Sequence, residues 1–212
     1  MLFRSVTGPG STISNNNNAS GALTIGSTST GSSNNTATIR NGGRVFNLGN
    51  NGSTLIRGFG GNILTVTDSN SLLTNALAGM TIGGNGNGLY VLNGAAAKAN
   101  GASTVGGNSE TNNWALVAGA NSIWDLMGNS LRVGFTNGVG NSVTVSNGGA
   151  FLSGAVTVGN GPGASNNQYN VAGLGAVSYV TNNGLVTVGG SGGGFNTMTV
   201  TNATILSSGL TI

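Results

Sequence analysis

The chain has 212 residues, 41 of them Gly and 2 Pro, with six basic and three acidic side chains and neither His nor Cys. This composition excludes a disulfide framework and a thiolate metal site, and an apolar fraction of 37% argues against a disordered linker. The isoelectric point near 10.0 reflects a small balance of +3 on an almost uncharged chain. Arg4, Arg40, Arg44, Arg57, Lys98 and Arg132 are scattered, so there is no basic surface of the kind that neutralises phosphates, and no nucleic-acid role is expected.

In chain order, residues 1–20 read as an N-terminal extended segment. Its apolar start is too short for a secretory signal, so export requires a signal that is removed or lies outside this sequence. Leu2-Phe3-Arg4-Ser5-Val6 suits a strand added to a neighbouring subunit, tethered by the Asn-rich stretch from Ser14 to Ser20. Residues 21–212 carry a recurring β-branched strand that stops at Gly. Its members are Leu23-Thr24-Ile25-Gly26, Met80-Thr81-Ile82-Gly83, Ser103-Thr104-Val105-Gly106, Leu131-Arg132-Val133-Gly134, Val156-Thr157-Val158-Gly159 and Val186-Thr187-Val188-Gly189, with Phe46-Asn47-Leu48-Gly49 weaker. Successive glycines lie 23, 34, 23, 28, 25 and 30 residues apart. Between them runs a second strand that ends on Asn-Gly or a relative, as in Thr38-Ile39-Arg40-Asn41-Gly42, Val66-Thr67-Asp68, Val91-Leu92-Asn93-Gly94, Val145-Ser146-Asn147-Gly148 and Val200-Thr201-Asn202. Helix signals are nearly absent; Ala95 to Ala99 is the one Ala-rich stretch, and Gly94 and Gly101 bracket it.

Irregular repeats of this length point to a solenoid. The pattern predicts an all-β, single-stranded parallel β-helix of 7–8 irregular rungs, each 23–34 residues long. Apolar residues alternate with Thr or Ser, which sends one face inward and one outward. Asn and Gly tolerate the positive φ of sharp corners. Asn-Gly also favours hairpins, so an antiparallel sandwich or barrel is the second reading; a propeller fits the spacing poorly. Asn ladders between stacked coils are expected at Asn41, Asn93, Asn147 and Asn202. At a strand spacing near 4.8 Å the rod would be roughly 35–40 Å long. Leu210-Thr211-Ile212 stops where the motif's Gly would follow, leaving an open sheet edge, so the chain is either part of a longer rod or completed by another subunit.

The run Asn141-Ser142-Val143-Thr144-Val145-Ser146-Asn147-Gly148-Gly149-Ala150, then Gly154-Ala155-Val156-Thr157-Val158-Gly159, resembles the autotransporter-associated β-strand repeat of secreted bacterial passenger-type adhesins. The likeness extends from about residue 20 onward. It implies a β-helix, export and a surface or matrix role; no outer-membrane barrel segment is recognisable. No apolar run reaches the roughly 18 residues of a membrane helix, and no membrane insertion is expected.

Catalytic chemistry is poorly supplied. Asp68, Glu110 and Asp125 fall in different coils, although the 15 residues between Glu110 and Asp125 would let that pair approach. Carbohydrate cleavage needs clustered carboxylates, and calcium needs several oxygen ligands. Gly190 to Gly194 lacks the Lys and helix of a phosphate loop. No enzyme activity, catalytic residue, metal or cofactor is therefore expected. Tyr90, Trp114, Trp124, Tyr169 and Tyr179 suit either sugar stacking or the core. Thr28-Ser29-Thr30, Thr36-Ala37-Thr38, Thr65-Val66-Thr67 and Thr199-Val200-Thr201 suit either an ice-binding lattice or ordinary strand propensity. Asn51-Gly52-Ser53 and Asn202-Ala203-Thr204 fit the N-glycosylation pattern. The expected role is an extracellular or cell-surface bacterial structural protein, a fibre or adhesin element stacking head to tail with itself. Surface or matrix polysaccharide is a further expected partner, and a glycan- or ice-binding solenoid is the alternative.

Overall fold

A computed structural model describes residues 5–16, 23–27, 32–50, 52–173, 176–190 and 192–212. Among them there is no helix, and parallel strands stack into a β-solenoid of about seven turns. The first strands of eight coils, Ser5–Thr7, Thr36–Arg40, Ile63–Thr67, Gly88–Leu92, Trp114–Ala118, Ser142–Ser146, Gln168–Ala172 and Thr197–Thr201, form one sheet in chain order. The second strands (in coil 5 Ile123–Asp125) and third strands (Leu131–Val133) form two further stacks. Ser178–Val188 serves both stacks in coil 7, and Ala203–Thr211 runs beside it in coil 8. Equivalent positions on neighbouring coils lie between 23 residues apart, Thr81 to Thr104, and 33 apart, Ser5 to Thr38.

Strand alternation builds the core. The column Val6, Ile39, Val66, Val91, Val117, Val145, Val171 is buried throughout, as is Ile25, Ile56, Ile82, Val105, Val133, Val158, Val188 on the third wall. β-branched residues suit these pleated columns, and each buried side chain contributes about 1.5–3 kcal/mol. On the second wall Ala97 leaves room for Trp124, which packs on Phe151 at 5.1 Å between centroids; Phe151 meets the edge of Tyr169 at 6.2 Å.

Two expectations change. The weak motif Phe46-Asn47-Leu48-Gly49 belongs to the second wall, because Arg44–Asn47 pairs with Leu72–Asn75. The third strand of coil 2 is Thr54–Ile56, and Arg57 stands where the other coils carry the strand-ending Gly. Ala96–Ala99, part of the Ala-rich stretch, is a second strand.

The polar ladder also lies elsewhere than expected. Asn41, Asn93, Asn147 and Asn202 are exposed corner residues with φ of 52°, 54°, 51° and 49°. They are selected for that backbone conformation, which Asn tolerates better than most residues. The ladder is Asn35, Asn62, Asn87, Asn113, Asn141, Asn167 and Asn196, each just before a first strand; Nδ2 to Oδ1 bonds join the neighbours except at Asn87 and Asn113, where the Asn87 backbone N–H donates to Asn113 Oδ1. The Nδ2 of Asn113 donates to Asn141 Oδ1 at 3.0 Å, and so does the Asn113 backbone N–H. From Asn62 onward, Nδ2 also donates back to a carbonyl of an earlier loop: Ser32, Gly58, Gly84, Glu110, Gly138 and Ala164 in turn. One side chain thus closes hydrogen bonds to the coils on both sides, and Asn62, Asn87, Asn113, Asn141 and Asn167 do so in fully buried positions. The strand-ending glycine makes room for it: a Cβ on Gly106, Gly134 or Gly159 would strike Asn141, Asn167 or Asn196.

The first corners alternate in type. Coils 2, 4 and 6 turn through Asn41-Gly42-Gly43, Asn93-Gly94-Ala95 and Asn147-Gly148-Gly149. Coils 3 and 5 use the longer corners Asp68 to Ser71 and Gly119 to Ser122, and coil 7 places Ser178 in the same column. Each Ser Oγ accepts the corner Gly N–H of the coil before it, from Gly42, Gly94 and Gly148. The repeating unit at this corner is therefore two coils.

Candidate functional site

The outward columns carry whatever surface chemistry the rod has. On the first sheet, Ser5, Thr38, Thr65, Tyr90, Leu116, Thr144, Asn170 and Thr199 share one column. The threonines of Thr36-Ala37-Thr38, Thr65-Val66-Thr67 and Thr199-Val200-Thr201 therefore do not form one lattice, since Tyr90 and Leu116 interrupt them. Thr28, Ser29 and Thr30 lie outside the described residues, as do Met1 to Arg4, Asn17 to Ser20, Asn51 and Ser191.

The aromatic residues divide. Trp124 and Tyr169 are fully buried. Burial pushes the Tyr169 phenol well above its ordinary range; Asn182 lies close enough to draw it slightly back. No well-formed hydrogen bond joins them, and Tyr169 Oη and Asn182 Nδ2 are both buried without a partner. Tyr90 and Trp114 are half-buried on the outer face, their rings tilted at 56° and 6.2 Å apart. The indole of Trp114 covers Gly88, where a Cβ would strike it. Tilted rings at this spacing do not make the flat strip on which a polymer chain would lie.

Each carboxylate receives a backbone N–H: Asp68 from Asn41, Glu110 from Gly107, and Asp125 from Met127. Asp125 lies on the second wall beside Lys98, and Glu110 in the loop after the third strand of coil 4, so the chain does not bring these two carboxylates together. Among the described residues no group of three metal-ligating side chains occurs. Arg40 and Arg44 are exposed on two different strands.

One cleft concentrates what charge there is. It encloses about 250 Å³ between the loops of coils 2, 3 and 4 and is lined by Arg57, Phe59, Thr81, Gly83, Gly84, Asn85 and Glu110 among others. Phe59 is 61% exposed at its rim. Arg57 Nε is buried and has no acceptor. No ion pair joins Arg57 to Glu110 across the cleft. A Cβ at Gly83 would press on the Glu110 carboxylate, so glycine is what leaves the acid in the cleft. The sequence carries a signal for this site: Arg57 is the one departure from glycine in its column. That signal emerges only when the strand Thr54–Ile56 is put in register. No family model, curated protein or solved structure matches this chain.

Proposed function

We propose that the protein is a non-catalytic structural element of an extracellular or cell-surface bacterial assembly, a rod segment that stacks coil on coil with further copies of itself. One observation carries this reading. Val200, Leu210 and Ile212 of the last coil are 48%, 54% and 89% exposed, whereas Val171, Val186 and Val188, their equivalents one coil earlier, are 0%, 1% and 3% exposed. Core columns thus meet solvent on a face that a further coil of the same shape would cover, whether from another copy or from the same chain. The edge strands Thr197–Thr201 and Ala203–Thr211 contain none of the Lys, Pro or inward charges with which proteins blunt such edges. No charged residue follows Arg132. Heterologous contacts that do not close produce filaments. The exported, bacterial setting rests on the adhesin-type repeat that the sequence resembles, and matrix polysaccharide fits as a further partner.

Sedimentation velocity and negative-stain microscopy of the 212-residue chain test the reading. Rods that lengthen with protein concentration are expected. The double substitution Val200→Lys, Leu210→Lys should return monomers with the wild-type strand circular dichroism, because both side chains are exposed in the single chain. A wild type that stays monomeric, or a double variant that assembles equally well, would reject it.

A further inference from the structure

We infer that the cleft between Arg57 and Glu110 is a binding site for a neutral, hydroxyl-rich ligand, a single sugar unit held at its vicinal hydroxyls. The inference is independent of end-to-end stacking, since the cleft lies on the side of the rod at coils 2 to 4.

The charge balance argues first. In a chain with nine charged residues, two of opposite sign face one cleft from different coils and stay unpaired. A guanidinium offers donors only; Arg57 Nε is itself closed off and without an acceptor, so a ligand in the cleft would be met by the remaining N–H groups of the Arg57 side chain that lines it. Beside it, Glu110 keeps acceptor capacity after receiving the Gly107 N–H, because a carboxylate has about four lone-pair sites. An anionic ligand would satisfy Arg57 and be repelled by Glu110, and a cation would meet the converse. Neighbouring hydroxyls satisfy both, one accepting from Arg57 and the next donating to Glu110.

The remaining lining completes the fit. Phe59 offers an exposed ring to the apolar face of a sugar. Asn85 Oδ1 is occupied by the N–H and hydroxyl of Thr111, which fixes the side chain and leaves its amide nitrogen toward solvent as a donor. Thr81 adds a hydroxyl at the cleft wall. Gly83 and Gly84 let a ligand approach the backbone closely. At about 250 Å³ the space is smaller than a drug-sized pocket and suits one ring. The repeat supports the assignment as well. Every other coil from 1 to 7 holds glycine at the position of Arg57, so the cleft arises where the repeat breaks its own rule.

The test is an amide NMR titration of the full chain with methyl β-glucoside, methyl β-galactoside and methyl α-mannoside, each to about 50 mM, enough to saturate a millimolar site. At least one sugar should shift Gly83, Gly84 and Gly107 saturably. Glu110→Gln, which keeps the acceptor for the Gly107 N–H, and Phe59→Ala, which alters an exposed ring, should each weaken that sugar about tenfold or more with the rest of the spectrum unchanged. Three results would overturn the inference. They are no saturable shift with any of the sugars, equal binding by both variants, or the same amides responding to glycine or inorganic phosphate in place of a sugar.

Discussion

Replacing Asn141 by Ala tests the polar ladder at its centre. Asn141 Oδ1 accepts the backbone N–H and Nδ2 of Asn113, and its own Nδ2 donates to Glu110 O and Asn167 Oδ1, each at 3.0 Å. Most of the partners have a second bond: Asn113 Nδ2 to Gly84 O, Glu110 O from Val139 N, and Asn167 Oδ1 from Asn141 N. The Asn113 N–H has none, and Asn113 is fully buried. An orphaned buried donor costs about 1–3 kcal/mol, and three lost side-chain bonds add about 1 kcal/mol each before relaxation, so the total should be about 4 kcal/mol. Asn93→Gly is the control. Asn93 is exposed, sits at φ 54° and makes one side-chain bond, to Thr67 Oγ1 at 3.1 Å. Gly holds that backbone readily, so the change should stay within about 0.5 kcal/mol. Urea unfolding, followed by the fluorescence of buried Trp124, reads both. Hydrogen exchange at the Asn113 amide should accelerate only in Asn141→Ala. A loss below about 1 kcal/mol for Asn141→Ala, or equal losses for the two variants, would refute the assignment of the ladder.

Gly134→Ala combines a φ of 72° with a Cβ that strikes Asn167, and should cost about 3 kcal/mol or more. Gly189→Ala, at φ 74° with nothing near its Cβ, should cost about 1 kcal/mol in the same urea assay. Tyr169→Phe removes a hydroxyl that is buried without a partner and should leave stability at pH 7 unchanged or slightly raised. The folded phenol titrates above its unfolded value of 10.0, so it leaves stability independent of pH below pH 10 and lowers it above pH 10, where the unfolded phenol ionises first. Melting temperatures at pH 8 and pH 11 should therefore fall less in Tyr169→Phe than in the wild type.

The coil was legible because two signals recur in phase with it, the β-branched strand that stops at Gly and the Asn-Gly corner. Both are backbone signals, set by positive φ and strand propensity, and they transfer from sequence to structure with little interference. The ladder was not, for the same reason: Asn-Gly drew attention to the Asn residues that serve the corner. The ladder Asn follows a residue of positive φ, as in Asn34-Asn35, Gly61-Asn62, Gly140-Asn141 and Phe195-Asn196. Its spacing of 27, 25, 26, 28, 26 and 29 residues is more even than that of the strand-ending glycines. Evenness of period marked the buried column better than residue salience did. The Arg57 cleft was hidden by the misassigned Phe46 motif, which masked the one column position where glycine gives way to a charge.

The alternating corners make a prediction that runs against simple addition. In a solenoid whose coils contribute equally, removing two coils should destabilise more than removing one. Here, deleting residues 88–113 joins Asn87 to Trp114, which occupies the position equivalent to Gly88. That deletion stacks the Ser71 corner directly on the Ser122 corner. Ser122 Oγ then loses the Gly94 N–H, and the four-residue corner Asp68 to Ser71 stands where the three-residue corner that presented it had been. It also sets Trp124 against Leu73 where Ala97 had made space, an overpacking that costs about 1–3 kcal/mol. Deleting residues 88–141 joins Asn87 to Ser142, places the Gly149 corner on Ser71, keeps the Asn ladder in step through Asn167, and removes Trp124 with its coil. The two-coil deletion should melt at the higher temperature of the two in circular dichroism. Melting temperatures that fall steadily with each coil removed would show that the corners are interchangeable, and that the single coil is the unit of the stack.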